Sequence, residues 1–379
     1  MSKPKKKITE RITVIDLMKL VGMLFICIAH CLQRWGYTSY VSNLGFAIFY
    51  SVALPLFFFS SGLLLKRAKT LKELLIYIGK TICLYLIPAY GFSVLSIYTL
   101  PRFVLEHKDF AYWMNELYLR TDTFYWHFLV AAFINIFLAI FSYVFSLIKK
   151  EGLLWDVLKS VFLVIVSIGY LMIFSYISNR EDLGPGCLAA NMVLYYLPIT
   201  LFAFIFKTFM PYLKKIPQLK ILKAVGALLC LVVYLYILLT NTNWLPKLGG
   251  TNREIATLWF GSLTGTLVYF YLLSLIDKYE PVKKISSLGR YSGQFYLVHV
   301  YIIRLFATYI KRPEVFDGYA MMYVTFLTII FTVGSLFVTI LLCFFPLTDL
   351  ILFLNYRRIH DLIYPKQWIK AISSKTKKK

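Results

Sequence analysis

The sequence predicts an all-α fold: a polytopic membrane helical bundle of about ten transmembrane helices, with both termini cytoplasmic. Three observations predict it. First, 59% of the 379 residues are hydrophobic and only 16% are charged, and the mean hydropathy is +0.70. A soluble domain carries roughly 25% charge and at most about half apolar residues. Second, the apolar residues gather in runs of about 20, the length of a spanning helix. Third, the basic residues concentrate in every second segment between those runs, on one side of the membrane. A water-soluble globule is excluded for want of polar surface. With 32 Phe and 29 Tyr, so is a disordered chain.

Ten runs qualify as spans. The first, 12–31, follows a Lys-rich start. It is longer than the apolar core of a signal peptide and has no small-x-small site before the next charges, so it reads as an anchor that is kept. Runs 44–65, 74–99 and 188–207 hold Pro55, Pro88 and Pro198, and each is expected to kink there. Run 123–147 has Trp126 and His127 at its start. Runs 157–177, 221–240 and 255–276 qualify on length and apolarity. Run 290–310 holds Ser292, Tyr296, His299 and Arg304. The last run, 320–350, is long, and a break at Pro346 with an amphipathic continuation is expected. No internal repeat or inverted pair of halves is visible. The chain therefore divides into a membrane domain, 1–350, and a basic cytoplasmic tail, 351–379.

The Lys/Arg tally sets the orientation. Segments 1–11, 66–73, 148–159, 207–223, 277–290 and 351–379 hold 29 of the 41 Lys and Arg residues. The loops on the other side, 32–43, 100–122, 178–187, 241–254 and 311–319, hold 9. The rule that positive loops stay inside puts the first set in the cytoplasm. The net charge of +23 has the same explanation. No nucleic-acid-binding signature accompanies it, so the basic tail is expected to attract anionic membrane lipid and not nucleic acid. Five of the six cysteines lie within apolar runs and none forms a CxxC pair, so they read as small buried hydrophobes.

Ionisable residues inside spans are costly, which makes each a functional candidate. The first run holds Asp16, Lys19 and His30. Their spacings of three and eleven residues place them on one helical face, spread over about 21 Å of axis. Asp16 and Lys19 are close enough to pair, leaving His30 near the outer end, where a neutral imidazole suits general-base work. The alternative is a histidine snorkelling at the membrane interface. On the ninth run, Ser292, Tyr296 and His299 share a face and Arg304 follows. His299 is either a second pocket wall or a packing histidine bonded across helices. His127, beside Trp126, reads as interfacial, within an aromatic belt. Gly184, Gly186 and Ala189 fit a dinucleotide-binding spacing by chance, with no strand before them. The five histidines do not cluster at metal-ligand spacing, so no metal is expected.

Several stretches, in order, resemble the acyltransferase family 3 membrane proteins. Asp16 and then Lys19, ten residues and His30 resemble the family's Asp and Arg-x10-His of the first helix. Leu54-Pro55-Leu56-Phe57-Phe58-Phe59-Ser60-Ser61-Gly62-Leu63-Leu64 is similar to its P-x-F-F-F-x-S-G-x-L-L second helix. Trp126-His127-Phe128-Leu129 looks like its W-F-L segment with one residue inserted. Ser287 to Ser292 and Tyr296 to His299 resemble its late glycine–tyrosine–serine and tyrosine–histidine element. Two positions depart from the pattern. Lys19 stands where the family has Arg, keeping the charge without the bidentate fork. Only Lys80 precedes Pro88, where an Arg-x-x-Arg is usual.

The resemblance implies transfer of an acyl group, commonly acetyl, from cytoplasmic acyl-CoA to a hydroxyl of a surface or lipid-linked glycan at a cell membrane. It casts His30, Lys19 and Asp16 as catalytic. His299, Ser292, Tyr296, Arg304, Trp126, His127 and Lys80 are then expected around the substrates. The competing readings are a glycan exporter or flippase, which would use the same polar stripe without chemistry, and a sensor or assembly subunit.

Overall fold

The computed structural model describes residues 13–36, 44–65, 68–100, 125–178, 190–240, 252–313 and 318–355. Among these residues the regular structure is entirely helical. In chain order the helices are α1 (Thr13–Trp35), α2 (Leu44–Leu64), α3 (Leu71–Thr81), α4 (Ile87–Thr99), α5 (Trp126–Leu147), α6 (Leu153–Ser178), α7 (Ala190–Leu213), α8 (Leu219–Thr240), α9 (Asn252–Ile276), α10 (Glu280–Ser286), α11 (Ser292–Ala307), α12 (Gly318–Phe344) and α13 (Pro346–Phe353). A π turn, Ile82–Leu86, joins α3 to α4, and a 3₁₀ turn, Ser287–Tyr291, joins α10 to α11. The N-terminal segment 1–12 and most of the tail, 356–379, lie outside the described residues.

Among the described residues, nine helical stretches are long and apolar enough to cross a membrane, with Leu71–Ser96 counted as one. The expected ninth span is the exception. It is α11, a helix of 16 residues. At 1.5 Å per residue it is about 24 Å long, against about 30 Å for a hydrocarbon core. Its burial explains why this suffices: every residue from Phe295 to Val300 is buried, on all sides of the helix. It packs on α1, α4 and α12. A helix enclosed by protein has no lipid thickness to match.

The α1–α2 pair is the centre. In the spanning windows of α1 and α2, 56% and 67% of residues are buried, against 17% for α6 and for α8. α1 packs on α2, α9, α11 and α12, and α2 packs on α7 and α9. α6 covers α7, and α8 covers α9, as an outer layer. Their exposed faces carry Phe162, Ile165, Met172, Leu228, Val232 and Leu239. Water would penalise such faces and lipid accepts them. Lipid also removes the hydrophobic drive between helices, so close packing and interhelical hydrogen bonds must hold the bundle. Each such bond contributes on average about 0.6 kcal/mol, so packing carries the larger share. Gly62 shows how close the helices come: a side chain there would run into the Thr200 carbonyl of α7. Ser61 donates to Asn135 Oδ1 on α5 at 2.7 Å. Ser51 and the Tyr234 hydroxyl on α8 meet at 2.9 Å.

Prolines act where the sequence places them, in different ways. Pro88 has no N–H for the carbonyl of Leu84. The helix takes a π turn just before it, and Ile87 N–H reaches back five residues to the Ile82 carbonyl. Pro55 and Pro198 remain inside continuous α2 and α7. The long last run breaks at Phe345, and Pro346 opens α13 as its first residue. Cys27, Cys31, Cys83, Cys230 and Cys343 are not joined in disulfides, and Cys187 lies outside the described residues.

Candidate active site

Three histidines from three helices meet in the interior. α1 presents His30 near its C-terminal end, α11 presents His299 and the first turn of α5 presents His127. The His30 and His299 ring centroids are 5.6 Å apart. The His127 ring lies on the Tyr296 ring at 3.4 Å between centroids. Tyr296 in turn meets His299 edge to face at 5.1 Å. His299 is wholly buried and His127 nearly so.

Hydrogen bonds within each helix fix the two facing imidazoles. Nδ1 of His30 lies 3.1 Å from Oε1 of Gln33, one turn further on. An amide oxygen only accepts, so Nδ1 carries the hydrogen and Nε2 is the bare nitrogen. Nδ1 of His299 donates to the Phe295 carbonyl at 2.9 Å. Phe295 also stacks on that ring at 5.0 Å and 11°. His299 therefore has its bare nitrogen at Nε2 as well. Both Nε2 atoms are buried with no hydrogen-bond partner among the described residues. So are Nδ1 of His127 and the hydroxyl of Tyr196. A buried polar atom left without a partner costs about 1–3 kcal/mol. The residues that bear these four atoms are linked through their rings and that of Trp126.

Charge and walls come from further elements. Arg304, in the last turn of α11, acts electrostatically on His30, Tyr125 and Tyr296. Trp126 meets His127 edge to face at 6.3 Å and stacks on Tyr196 at 5.8 Å. The end of α1 is held shut. Arg312 donates to the Gln33 and Arg34 carbonyls at 2.8 and 3.2 Å, occupying acceptors that a helix C-terminus leaves open. Trp35 Nε1 donates to the Ile310 carbonyl at 3.1 Å.

Of the residues singled out by sequence, the structure gathers His30, His299, Tyr296, His127, Trp126 and Arg304. His127 differs from its expected place in an interfacial belt. It is buried because Phe128 and Tyr296 flank its ring. Asp16 and Lys19 stand apart. Eleven residues of helix put Lys19 about 17 Å from His30. Both are half-buried, at the end where Gly289 of the 3₁₀ turn seats against the Asp16 carbonyl. Ser292 belongs to that end too, seven residues and about 10 Å from His299 along α11. Lys80 is exposed. α3 packs near Ala139 and Tyr143, in the C-terminal half of α5, so Lys80 is remote from the histidines. Gln33 and Tyr196 belong to the cluster and were not singled out. Gln33 had a readable signal, a polar residue one turn from His30. Tyr196 had none, as one of 29 tyrosines.

Two bare imidazole nitrogens screened from solvent can take a proton from a hydroxyl held between them. Among the described residues, no three His, Cys, Asp or Glu side chains are grouped to hold a metal ion. A protein-family model described as an acyltransferase domain matches residues 12–348. It spans all the helices that bear the cluster. No curated protein matches the chain.

Proposed function

Because this chain belongs to acyltransferase family 3 and is a multi-pass membrane protein, we propose that it transfers an acyl group, commonly acetyl, from cytoplasmic acyl-CoA to a hydroxyl of a surface or lipid-linked glycan. One observation carries the choice of His30 as the base: its Nε2 is bare and buried with no hydrogen-bond partner among the described residues, while its Nδ1 hydrogen is tied to Gln33.

The acceptor oxygen attacks the thioester carbonyl carbon as its proton passes to Nε2 of His30. The carbonyl π pair moves onto oxygen. When that pair re-forms the carbonyl, the C–S bond breaks and the sulfur leaves as thiolate with the C–S bonding pair. The imidazolium then returns the proton to sulfur. The product is an ester and a free thiol, and the base is regenerated. A base so placed contributes about 10²–10⁴-fold, or roughly 3–5 kcal/mol of barrier. His299 faces the same space and holds a second substrate hydroxyl. Lys19 and Asp16, at the far end of α1, serve the donor's phosphate-bearing end. The Lys/Arg tally makes that end cytoplasmic and the histidine end outer, in the plasma membrane of a bacterium. The arrangement would let donor and acceptor approach from opposite sides.

The test is purified protein in vesicles with acetyl-CoA labelled in the acetyl group, with and without glycan acceptor. Transfer or hydrolysis that disappears in His30→Gln supports the proposal. Glycan movement across the bilayer that ignores CoA replaces it with an exporter. Transfer at wild-type rate by His30→Gln removes His30 as the base.

A further inference from the structure

The chain turns as it leaves α11, the helix of His299. The N–H groups of Tyr309 and Ile310 both donate to the Phe306 carbonyl, at 3.0 and 2.9 Å, and residues 310–312 then meet the end of α1. The Ile310 carbonyl accepts from Trp35 Nε1 at 3.1 Å. α12 supports the same junction. Its Tyr323 hydroxyl donates to the Lys311 carbonyl at 3.4 Å, and its Phe331 stacks on the Trp35 ring at 4.8 Å and 10°. The segment that follows the His299 helix is thus fastened to the last turn of the His30 helix.

At that turn α1 runs out of its own donors. Its bonding ends with the Gly36 N–H on the Leu32 carbonyl at 2.8 Å, and the next two carbonyls belong to Gln33 and Arg34. Arg312 serves both, with Nη2 on Gln33 at 2.8 Å and Nε on Arg34 at 3.2 Å. A cation at a helix C-terminus is favourable in its own right, and a single donor would supply that. A planar guanidinium on two successive carbonyls also fixes the orientation of both peptide groups. Gln33 stands between two contacts. Arg312 holds its main-chain carbonyl, and its side-chain oxygen holds Nδ1 of His30 at 3.1 Å. The residue that sets the tautomer of His30 is itself set by Arg312.

We propose that Arg312 is a positioning residue for His30: by holding the main chain of Gln33 it keeps the Gln33 amide on Nδ1, and so keeps Nε2 as the bare nitrogen. Its effect on rate rests on the acyl-transfer reading, whereas the tautomer is a property of the resting protein. Arg312 acts through Gln33 and takes no part in the proton transfer.

The test uses Arg312→Ala, Arg312→Lys, Gln33→Leu and the double variant Arg312→Ala with Gln33→Leu, all in the full chain. Nitrogen NMR of histidine-labelled protein in detergent reads the tautomer, and the His30 signal is the one lost in His30→Gln. Wild type should show hydrogen on Nδ1, and Arg312→Ala a mixture of tautomers. Arg312 is exposed, so water competes for its bonds, and Arg312→Ala should lower kcat only about 3- to 10-fold. KM for acetyl-CoA should stay at its wild-type value. Lysine keeps the charge without the fork, so Arg312→Lys should recover part of the loss. In the double variant, Arg312→Ala should add nothing to the effect of Gln33→Leu, because both act through one contact. Lys311→Ala removes a neighbouring charge and should behave as wild type. A single Nδ1–H tautomer in Arg312→Ala overturns the proposal. So does a loss that simply adds to that of Gln33→Leu, or an equal loss in Lys311→Ala. A wild-type protein with the Nδ1–H tautomer and no acyl transfer overturns the acyl-transfer reading, while the tautomer shift in Arg312→Ala still supports the hold of Arg312 on His30.

Discussion

Gln33 holds the Nδ1 hydrogen of His30, with 3.1 Å between nitrogen and amide oxygen, and its own main-chain carbonyl is held by Arg312 at 2.8 Å. One residue thereby links the proposed base to the segment that closes the end of α1. Gln33→Leu keeps the bulk of the side chain and frees the imidazole to change tautomer and turn. Loss of one neutral hydrogen bond is worth about 1 kcal/mol, so turnover should fall about 5- to 10-fold. Gln33→Glu still accepts the Nδ1 hydrogen and should lose less. Steady-state rates of the two variants, beside unchanged binding of acetyl-CoA, check the order. Equal rates in both variants and wild type would leave Gln33 as a surface residue of the helix.

Gly289 seats the 3₁₀ turn directly on the Asp16 carbonyl. A Cβ at this position would collide with main-chain atoms, which have no rotamer to escape into. Gly289→Ala should therefore push α11 away from α1, the two helices that carry His299 and His30. Overpacking of this kind costs about 1–3 kcal/mol. Thermal unfolding in detergent should show that loss, and turnover should fall with it. Gly79→Ala is the control, since a side chain there meets nothing within 4 Å and alanine favours a helix.

The orientation of the bundle rests on the 29 to 9 division of Lys and Arg. Replacing native cysteines and placing single ones in each loop gives a direct reading. A membrane-impermeant thiol reagent added outside intact cells should label positions in 241–254 and spare those in 207–223. The reverse pattern would put the histidine cluster on the cytoplasmic side and leave the proposed acceptor on the wrong face.

The spans and most of the cluster were legible because each leaves a one-dimensional trace. Apolar runs mark helices, and a histidine in such a run stands out against its neighbours. His299 needed more, since only the packing of α11 on α1 brings its ring beside His30. His127 misled because Trp126 and Phe128 around it resemble an interfacial belt, and sequence cannot say whether such a helix start faces lipid or protein. Tyr196 was hidden for a different reason. It joins the cluster only through the stacking of its ring on Trp126, a contact between helices that has no sequence signature. The stripe of Asp16, Lys19 and His30 was readable as a shared face. The same spacing keeps its two ends apart, so they cannot act on one atom. The ninth run, 290–310, was read as a full span, and its helix is shorter, Ser292–Ala307, because a run of about 20 apolar residues does not show where its helix begins.

That axial separation gives the last prediction. Lys19 is about 17 Å from His30 along α1, too far for its ammonium to touch a reacting carbonyl beside His30. Acyl-CoA is long, with its thioester at one end and its phosphates at the other. If the thioester lies at the histidines, a half-buried cation at the opposite end of the helix meets a phosphate. Hydrogen bonds to charged groups contribute about 1.5–3 kcal/mol, so Lys19→Ala should raise KM for acetyl-CoA about 10- to 100-fold. Its kcat should stay near wild type, because the lost contact is the same in ground and transition states. Lys19→Arg keeps the charge and should recover most of the affinity. Asp16→Asn should weaken donor binding less than Lys19→Ala, since it leaves the cation in place. His30→Gln must show the opposite signature, with kcat reduced and KM nearly unchanged. Titrating acetyl-CoA against each variant in vesicles separates the two ends of the helix. A fall in kcat without a rise in KM for Lys19→Ala would place Lys19 with the chemistry and refute the division of labour along α1.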